Sequence, residues 1–345
     1  MNRIRYAEKN SLCDYDLSLE LFNELGININ DITPLRNVFV ISTDSGNKIL
    51  KKVDYDEDRL NFINECLEYI KNNYDNVITY NKFSDGLSYK KWNDNLYVVM
   101  DILDGREACF TNPVEVKLCA QNVALMHKAS KGLREELKNK INKDLLDESL
   151  ESKFKKAYDE LIFLKDIVNK YKYKNEFDTL FLKNIDKYIN EIVSVQEKLK
   201  NSQYNELRES GDTVSICHND LAYHNFLVKK DKVSIIDFDF LTLDLRAIDI
   251  SDFILRCIKN SAFDIDKMLL AIDSYEEISL LKREEKELIY ILLSFPKDFY
   301  TMAKNYYYKR KRWEYEVYLN RFKTKLNNEP FRKEFLNIYG KLINI

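Results

Sequence analysis

Glycine and proline are scarce in this chain, at 7 and 4 of 345 residues. So few turn-formers over such a length speak against many short strands and for long helices. Six cysteines stand at 13, 66, 109, 119, 217 and 257, and none forms a CxxC pair. Cys66, Cys119 and Cys257 fall in helical apolar patterns, which reads as reduced, mostly buried thiols in a cytoplasmic protein. No run of 18 uncharged apolar residues occurs, so no membrane span is expected. The opening MNRIRYAEKN lacks the apolar core of a secretory leader. A formal net charge of −3 gives no reason to expect nucleic acid or an anionic membrane as partner. No repeat of 20–50 residues and no long low-complexity tract is present.

What is present is ordinary globular material, 45% hydrophobic and 32% charged, with many aromatics (23 Tyr, 19 Phe). The length suits one large domain or two smaller ones. Residues 34–53 read as a hairpin turning at DSGN (44–47), and 87–103 as a second one turning at WND. Between them, 56–74 reads as a helix with Leu60, Ile63, Leu67 and Ile70 on one face and acids in the first turn. From 112 the texture turns helical: 112–130, about 134–201, and nearly everything after Asp249. The expected division is 1–103 and 104–345, with Asp104-Gly105 as the boundary, since glycine permits a turn there.

The stretch CHNDLAYHNFLVKKDKVSIIDFDF (217–240) interrupts the helices and holds two of the three histidines and four aspartates. Phe226–Val228 and Val233–Ile236 read as two strands joined by KKDK (229–232). A hairpin brings its open ends together. The pattern therefore predicts that His218, Asp220, His224 and Asn225 gather beside Asp237 and Asp239.

The spacing HxDxxxxN (His218, Asp220, Asn225), followed twelve residues later by an Asp closing an apolar strand, resembles the protein-kinase-like phosphotransferases. The resemblance implies ATP and Mg²⁺ as cofactors, Asp220 as the base for the acceptor hydroxyl, and Asn225 and Asp237 as metal ligands. Asp239 would be a further ligand or a partner behind it. A lone HxD is common by chance, an Asn entering a strand is often a cap, and DFD can be an Asx-turn. The order of all the pieces around one hairpin is what carries the reading. Upstream, ILKKV supplies a strand lysine for the nucleotide phosphates. Lys51 shares a face with Ile49, while Lys52 points away. Among Glu57, Glu65 and Glu68 on the following helix, Glu65 is best placed as its carboxylate partner. YVVMDILDG (97–105) looks like the last strand of a first lobe running into a hinge whose backbone meets the adenine edge. The loop over the phosphates is expected near 33–37, where TPLRN has no glycine.

Within this superfamily, HND, DFD and the acid Asp249 in LDLRAIDISDFI resemble the aminoglycoside phosphotransferase and choline kinase group. Asp249 there buttresses the catalytic loop; the plainer reading is a helix N-cap. The whole chain looks like the CotS-type family of spore coat proteins, through Thr43, Gly46, Leu50 and Lys51 of a T-x-x-G-x-x-x-L-K hairpin, ILDGRE (102–107), ALMHKAS (124–130), the HxDxxxxN hairpin and FPKDFY…YYY…W (295–313). This implies an α+β, bilobal fold with a small antiparallel-sheet lobe and a larger, mainly helical one. It also implies a protein made in the cytoplasm and deposited in, or acting on, the spore coat. Its partners would be a small-molecule or saccharide acceptor and other coat proteins. Asn219 stands where the family often has glycine; Asn tolerates φ > 0 better than most residues. HxDxxxH is also half of a hydrolase metal site, but His127 sits in an apolar helix without a partner motif. The basic, aromatic run 305–318 could bind sugar polymer, phosphate or nucleic acid; the plainer reading is a helix with its aromatics turned inward and its lysines in water.

Overall fold

The computed structural model describes residues 18–36, 38–140 and 147–345. The opening MNRIRYAEKN, Cys13, Asn37 and residues 141–146 of the expected helical stretch lie outside it. The described chain falls into two compact units. One holds the residues up to Ala108 together with His224–Asp239; the other holds Cys109–Tyr223 with Phe240–Ile345.

The first unit opens with a short helix, α1 (Leu19–Leu25), capped by Ser18 and ended by Gly26 at φ 63°. Five antiparallel strands follow: β1 (Ile29–Leu35), β2 (Val38–Thr43), β3 (Gly46–Val53), β4 (Lys90–Trp92) and β5 (Asn95–Asp101), in the order β1-β2-β3-β5-β4. The WND turn works because Asn93 and Asp94 both take positive φ, 46° and 60°, as a two-residue hairpin turn requires. Alternation gives the sheet an apolar face, where Phe39, Ile41, Leu50, Tyr97 and Val99 pack on Leu21 and Leu25. Helix α2 (Glu57–Lys71), capped by Asp56, buries Leu60, Ile63, Leu67 and Ile70 as their spacing predicts.

A second, three-stranded sheet joins β6 (Arg106–Glu107) to the hairpin β8 (Phe226–Lys229) and β9 (Lys232–Ile235). Its turn is Lys230-Asp231, with Lys230 at φ 57°. Gly105 lies against this hairpin so closely that a Cβ there would stand 3.1 Å from Leu227 Cβ and 3.2 Å from the Val228 carbonyl. Glycine is thus needed for close approach as well as for a turn.

The second unit is mainly helical. Helix α3 (Pro113–Ala129) starts at the Asn112 cap with proline in its first turn. After α4 (Leu133–Lys140), the helices α5 (Leu150–Asn169) and α6 (Glu176–Asn201) share an aromatic core with α11 (Lys297–Tyr307) and α12 (Tyr315–Leu342). Phe177 stacks on Tyr306 and Phe322, and Tyr188 on Phe299. Between α6 and α11 come α7 (Tyr204–Glu209), α8 (Arg246–Ile258), α9 (Ile265–Glu276) and α10 (Arg283–Ser294). The expected helix over 305–318 is broken. Helix α11 stops at Tyr307, Lys309 takes φ 51°, and α12 begins at Tyr315. Tyr306 and Tyr318 turn inward, and Trp313 packs partly buried against the same core with Arg321 4.1 Å from its ring centroid. No helix of the described residues is long and apolar enough to cross a membrane. The five described cysteines are free thiols, and all but Cys109 are buried.

A two-stranded sheet pairs β7 (Val214–Cys217) with β10 (Thr242–Leu245). Asp244 in β10 is 2% exposed, and burial pushes its carboxyl up to about 6. Because the folded value lies above the unfolded one, this group favours folding below the ordinary value of 3.8 and loses that contribution as pH rises through about 6. Asp244→Asn should therefore stabilise the fold at pH 7.5 by about 1–3 kcal/mol, with the gain shrinking toward pH 4.5. Urea unfolding at the two pH values tests this, and a gain that grew on acidification would refute it.

Candidate active site

Alternation along β3 buries Leu50 completely and puts Ile49 and Lys51 on its other face. Lys51 Nζ lies 2.6 Å from Asp237 Oδ1 and 2.7 Å from Asp239 Oδ1. Burial opposes the charge, but the two carboxylates outweigh it and hold the ammonium above its ordinary value. Asp237 follows the end of β9 and takes φ 69°, a left-handed conformation uncommon for a non-glycine residue. Asp239 also accepts from the Tyr55 hydroxyl at 3.3 Å, and its main-chain carbonyl accepts from Arg59 Nη2 at 3.2 Å. Burial first, then Tyr80 and Asp239, push the Tyr55 phenol upward, so it stays a donor.

Asn225 is buried and ends a 3₁₀ turn, Tyr223–Asn225; its carbonyl accepts from the Ile236 N–H at 3.0 Å. With Phe226 opposite Ile235, Asn225 and Asp237 both lie at the open end of the hairpin. Glu65 sits in the middle of α2, half-buried. Burial, opposed by Arg59 and aided by Glu65, pushes the neighbouring Cys66 thiol up. At the end of β5, Asp101 accepts from Lys48 at 2.7 Å and Asn81 at 3.1 Å, which holds its carboxyl below the usual range. β1 and β2 turn at Arg36, φ 56°, whose guanidinium pairs with Glu107.

The loop carrying Asp220 belongs to the second unit. His218 is fully buried, and its Nδ1 accepts from the Asp220 N–H at 3.2 Å; it braces the loop from inside. Asn219 takes φ 62°, the positive φ that its place in the family pattern suggested. Its side-chain amide donates to the Phe240 carbonyl at 2.9 Å and Thr242 Oγ1 at 2.8 Å, bonds a glycine would lack. Asp249 lies in the first turn of α8 and is fully buried. It is no cap: Oδ2 accepts from the His218 N–H at 2.9 Å and Oδ1 from the Asn219 N–H at 2.8 Å. His127 Nε2 lies 3.1 Å from the same carboxylate, and Nδ1 lies 2.9 Å from the Tyr275 hydroxyl. Both nitrogens of this imidazole are engaged, and among the described residues no three His, Cys, Asp or Glu side chains group to hold a metal. The Asp220 carboxylate meets Arg256 Nη2 at 2.6 Å, and Arg256 Nε donates to Asp252 at 2.7 Å.

Residues 19–339 match the family described as "Spore coat putative kinase YutH". The chain belongs to this family. Among relatives of the spore coat kinase family, Spore coat protein S of Bacillus subtilis (strain 168) is 23% identical over 309 residues, 88% of this chain and 86% of that protein. An aminoglycoside phosphotransferase from Alicyclobacillus acidocaldarius superposes with a TM-score of 0.82 at 17% identity, over 96% of this chain and 97% of that one. Amicoumacin kinase, solved with AMP-PNP and Ca²⁺, gives 0.64 at 15% identity over 96% of each chain. The α+β architecture with an antiparallel N-terminal sheet is thus that of kinase-like folds, as the family resemblance implied.

Two side chains of this family member escaped the sequence. Tyr55 lies between β3 and the cap of α2, and Arg256 lies on an amphipathic helix. A tyrosine before a cap and an arginine in a helix are both commonplace, and only the fold gives them carboxylate partners.

Proposed function

We propose that this spore coat kinase-family chain is an ATP- and Mg²⁺-dependent phosphotransferase acting on a hydroxyl of a small molecule or saccharide. The observation that carries the reading is the Lys51 ammonium held between Asp237 and Asp239. A cation seated between two carboxylates marks a place that accepts positive charge, and hard oxygen donors suit magnesium, which takes few carboxylates and completes its shell with phosphate and water. Asn225 and Asp237 would hold the ion, with Asp239 behind them. Bound there, it would neutralise phosphate charge during transfer. Lys51 serves the nucleotide phosphates, Glu65 is assigned as the helix carboxylate behind the lysine, and Asp220 orients the acceptor hydroxyl and receives its proton. Spectinomycin phosphotransferase, solved with ADP, and amicoumacin kinase, solved with AMP-PNP, support a nucleotide as the ligand. The family supports a place of action in the spore coat, with coat proteins as neighbours.

A second reading is a coat scaffold with a silent kinase fold. The glycine-free turn at Arg36, engaged with Glu107, favours it, because close backbone cradling of phosphate usually relies on glycine. Thermal unfolding with ATP and Mg²⁺ separates the two. At 100-fold excess over Kd, binding stabilises by about 2.7 kcal/mol and should raise the melting temperature. Asp237→Ala should remove the shift. No shift at millimolar nucleotide would leave only the scaffold.

A further inference from the structure

Several cations converge beside Asp220, and not all of them are used. On the second unit, Arg256 bridges Asp220 and Asp252, and Lys297 reaches the same Asp252 at 2.8 Å. Asp252 is only 8% exposed. Burial would raise its carboxyl, but Lys297 and Arg256 overcome that and hold it below the usual range. Its charge is therefore already spent on these two partners. Lys259 follows Arg256 at the end of α8, half-buried, with an amine that makes no hydrogen bond or ion pair to the described residues. Burial, and next the Arg256 charge, lower its pKa; Lys325 adds to this, and Asp298 only partly offsets it. Asp298 is in turn taken by Lys325 at 2.6 Å. Asp249 also acts on Arg256, so four carboxylates stand among four cations, and of the four cations Lys259 has no ion pair to the described residues. Lys297 also opens α11, an eleven-residue helix, so the positive end of the helix dipole lies beside these cations.

The arginine is only partly used. It spends Nε on Asp252 and Nη2 on Asp220, while Nη1 bonds none of the described residues; the side chain is 24% exposed. A guanidinium edge left open beside a carboxylate that receives a hydroxyl proton is a fork suited to a second, anionic group on the same molecule.

We propose that the acceptor is an anionic alcohol, a hydroxylated molecule bearing a carboxylate or phosphate that Arg256 receives with Lys297 and Lys259 while the hydroxyl meets Asp220. This rests on the role given to Asp220 above. In the step, the hydroxyl oxygen forms a bond to the γ-phosphorus of ATP. The bond from that phosphorus to the β–γ bridging oxygen breaks, ADP leaves with the electron pair, and the hydroxyl proton passes to Asp220. The anionic group takes no part in bond-making and serves to place the hydroxyl.

The test uses the full chain and four probes: D-glucuronate for the carboxylate source, glycerol 3-phosphate for the phosphate source, neutral D-glucose and cationic D-glucosamine. Melting temperature without nucleotide and ADP release with ATP and Mg²⁺ are both read. At least one anionic probe should raise the melting temperature and exceed glucose and glucosamine in ADP release by about tenfold. Arg256→Lys and Lys297→Gln should each weaken the anion's thermal effect severalfold, while Lys333→Gln, exposed on α12, leaves it unchanged. Equal use of glucose or glucosamine, no response to either anion, or an anion response surviving Arg256→Lys and Lys297→Gln alike would overturn the proposal. If ATP with Mg²⁺ fails to stabilise the protein, the phosphotransferase reading falls and takes this one with it. If ATP stabilises and the anions do nothing, only this one falls.

Discussion

With Lys51 replaced by Met, ATP with Mg²⁺ should lose most of its stabilising effect, and divalent ions alone should gain one. The ammonium now satisfies Asp237 and Asp239 at 2.6 and 2.7 Å. On the role proposed for Lys51, its removal would delete a charge-assisted contact to phosphate, about 1.5–3 kcal/mol, or roughly 10–100-fold in Kd. It also takes away the ammonium that lies between two neighbouring carboxylates. Asp237 is 45% exposed and relaxes into water, so the cost to the unliganded fold is modest, about 1–2 kcal/mol. The vacated place between the carboxylates then favours Ca²⁺ or Mg²⁺, which in the parent protein must compete with the lysine. Titration calorimetry with nucleotide and thermal unfolding in millimolar Ca²⁺ measure the two halves separately. A variant that keeps full ATP affinity would remove Lys51 from the nucleotide site. One that gains no divalent response would remove Asp237 and Asp239 as metal donors. Lys51→Arg should be intermediate, because it keeps the charge but replaces a compact point donor with a planar fork.

Much of this geometry was legible before any coordinates. Period-two alternation set Lys51 apart from Leu50, and the two apolar runs around KKDK gave a hairpin that carries Asn225 and Asp237 to the same end. Helical periodicity placed α3 within one residue at each end and α2 within three. Three things were not legible. The run 305–318 carries no glycine or proline to mark a break, yet the chain turns at Lys309 with Tyr306 and Tyr318 both packed in the aromatic core. Asp237 and Asp239 were both candidates at the hairpin's open end, but the Tyr55 hydroxyl that supports Asp239 depends on the path of the chain after β9. Arg256 had no local signal, because an arginine in the last turn of an amphipathic helix normally rests in solvent. Asn219 shows a partial signal: the departure from glycine and asparagine's tolerance of positive φ were visible, but not the three hydrogen bonds that tie its side chain to Cys217, Phe240 and Thr242.

Asp249→Ala should be the most damaging single change in the second unit. The carboxylate is fully buried and takes three hydrogens, from the His218 and Asn219 main-chain N–H groups and from His127 Nε2. A carboxylate only accepts, so Nε2 carries a hydrogen toward Asp249, while Nδ1 lies 2.9 Å from the Tyr275 hydroxyl. Alanine leaves all three donors buried and unmet. At about 1–3 kcal/mol each, and not additive, the loss should reach about 3–5 kcal/mol in urea unfolding. The loop bearing Asp220 should loosen before the fold fails, because two of the three bonds end on its backbone. Hydrogen exchange of a peptide spanning 217–221 should quicken while exchange in α6 stays slow. Asn in place of Asp249 keeps one acceptor oxygen but turns an NH₂ toward an N–H, so it should recover only part of the stability. Asp273→Ala, exposed on α9, controls for loss of charge and should have no effect. Should Asp249→Ala unfold within about 1 kcal/mol of the parent with unchanged exchange at 217–221, the loop is held by other contacts and Asp249 is not its brace.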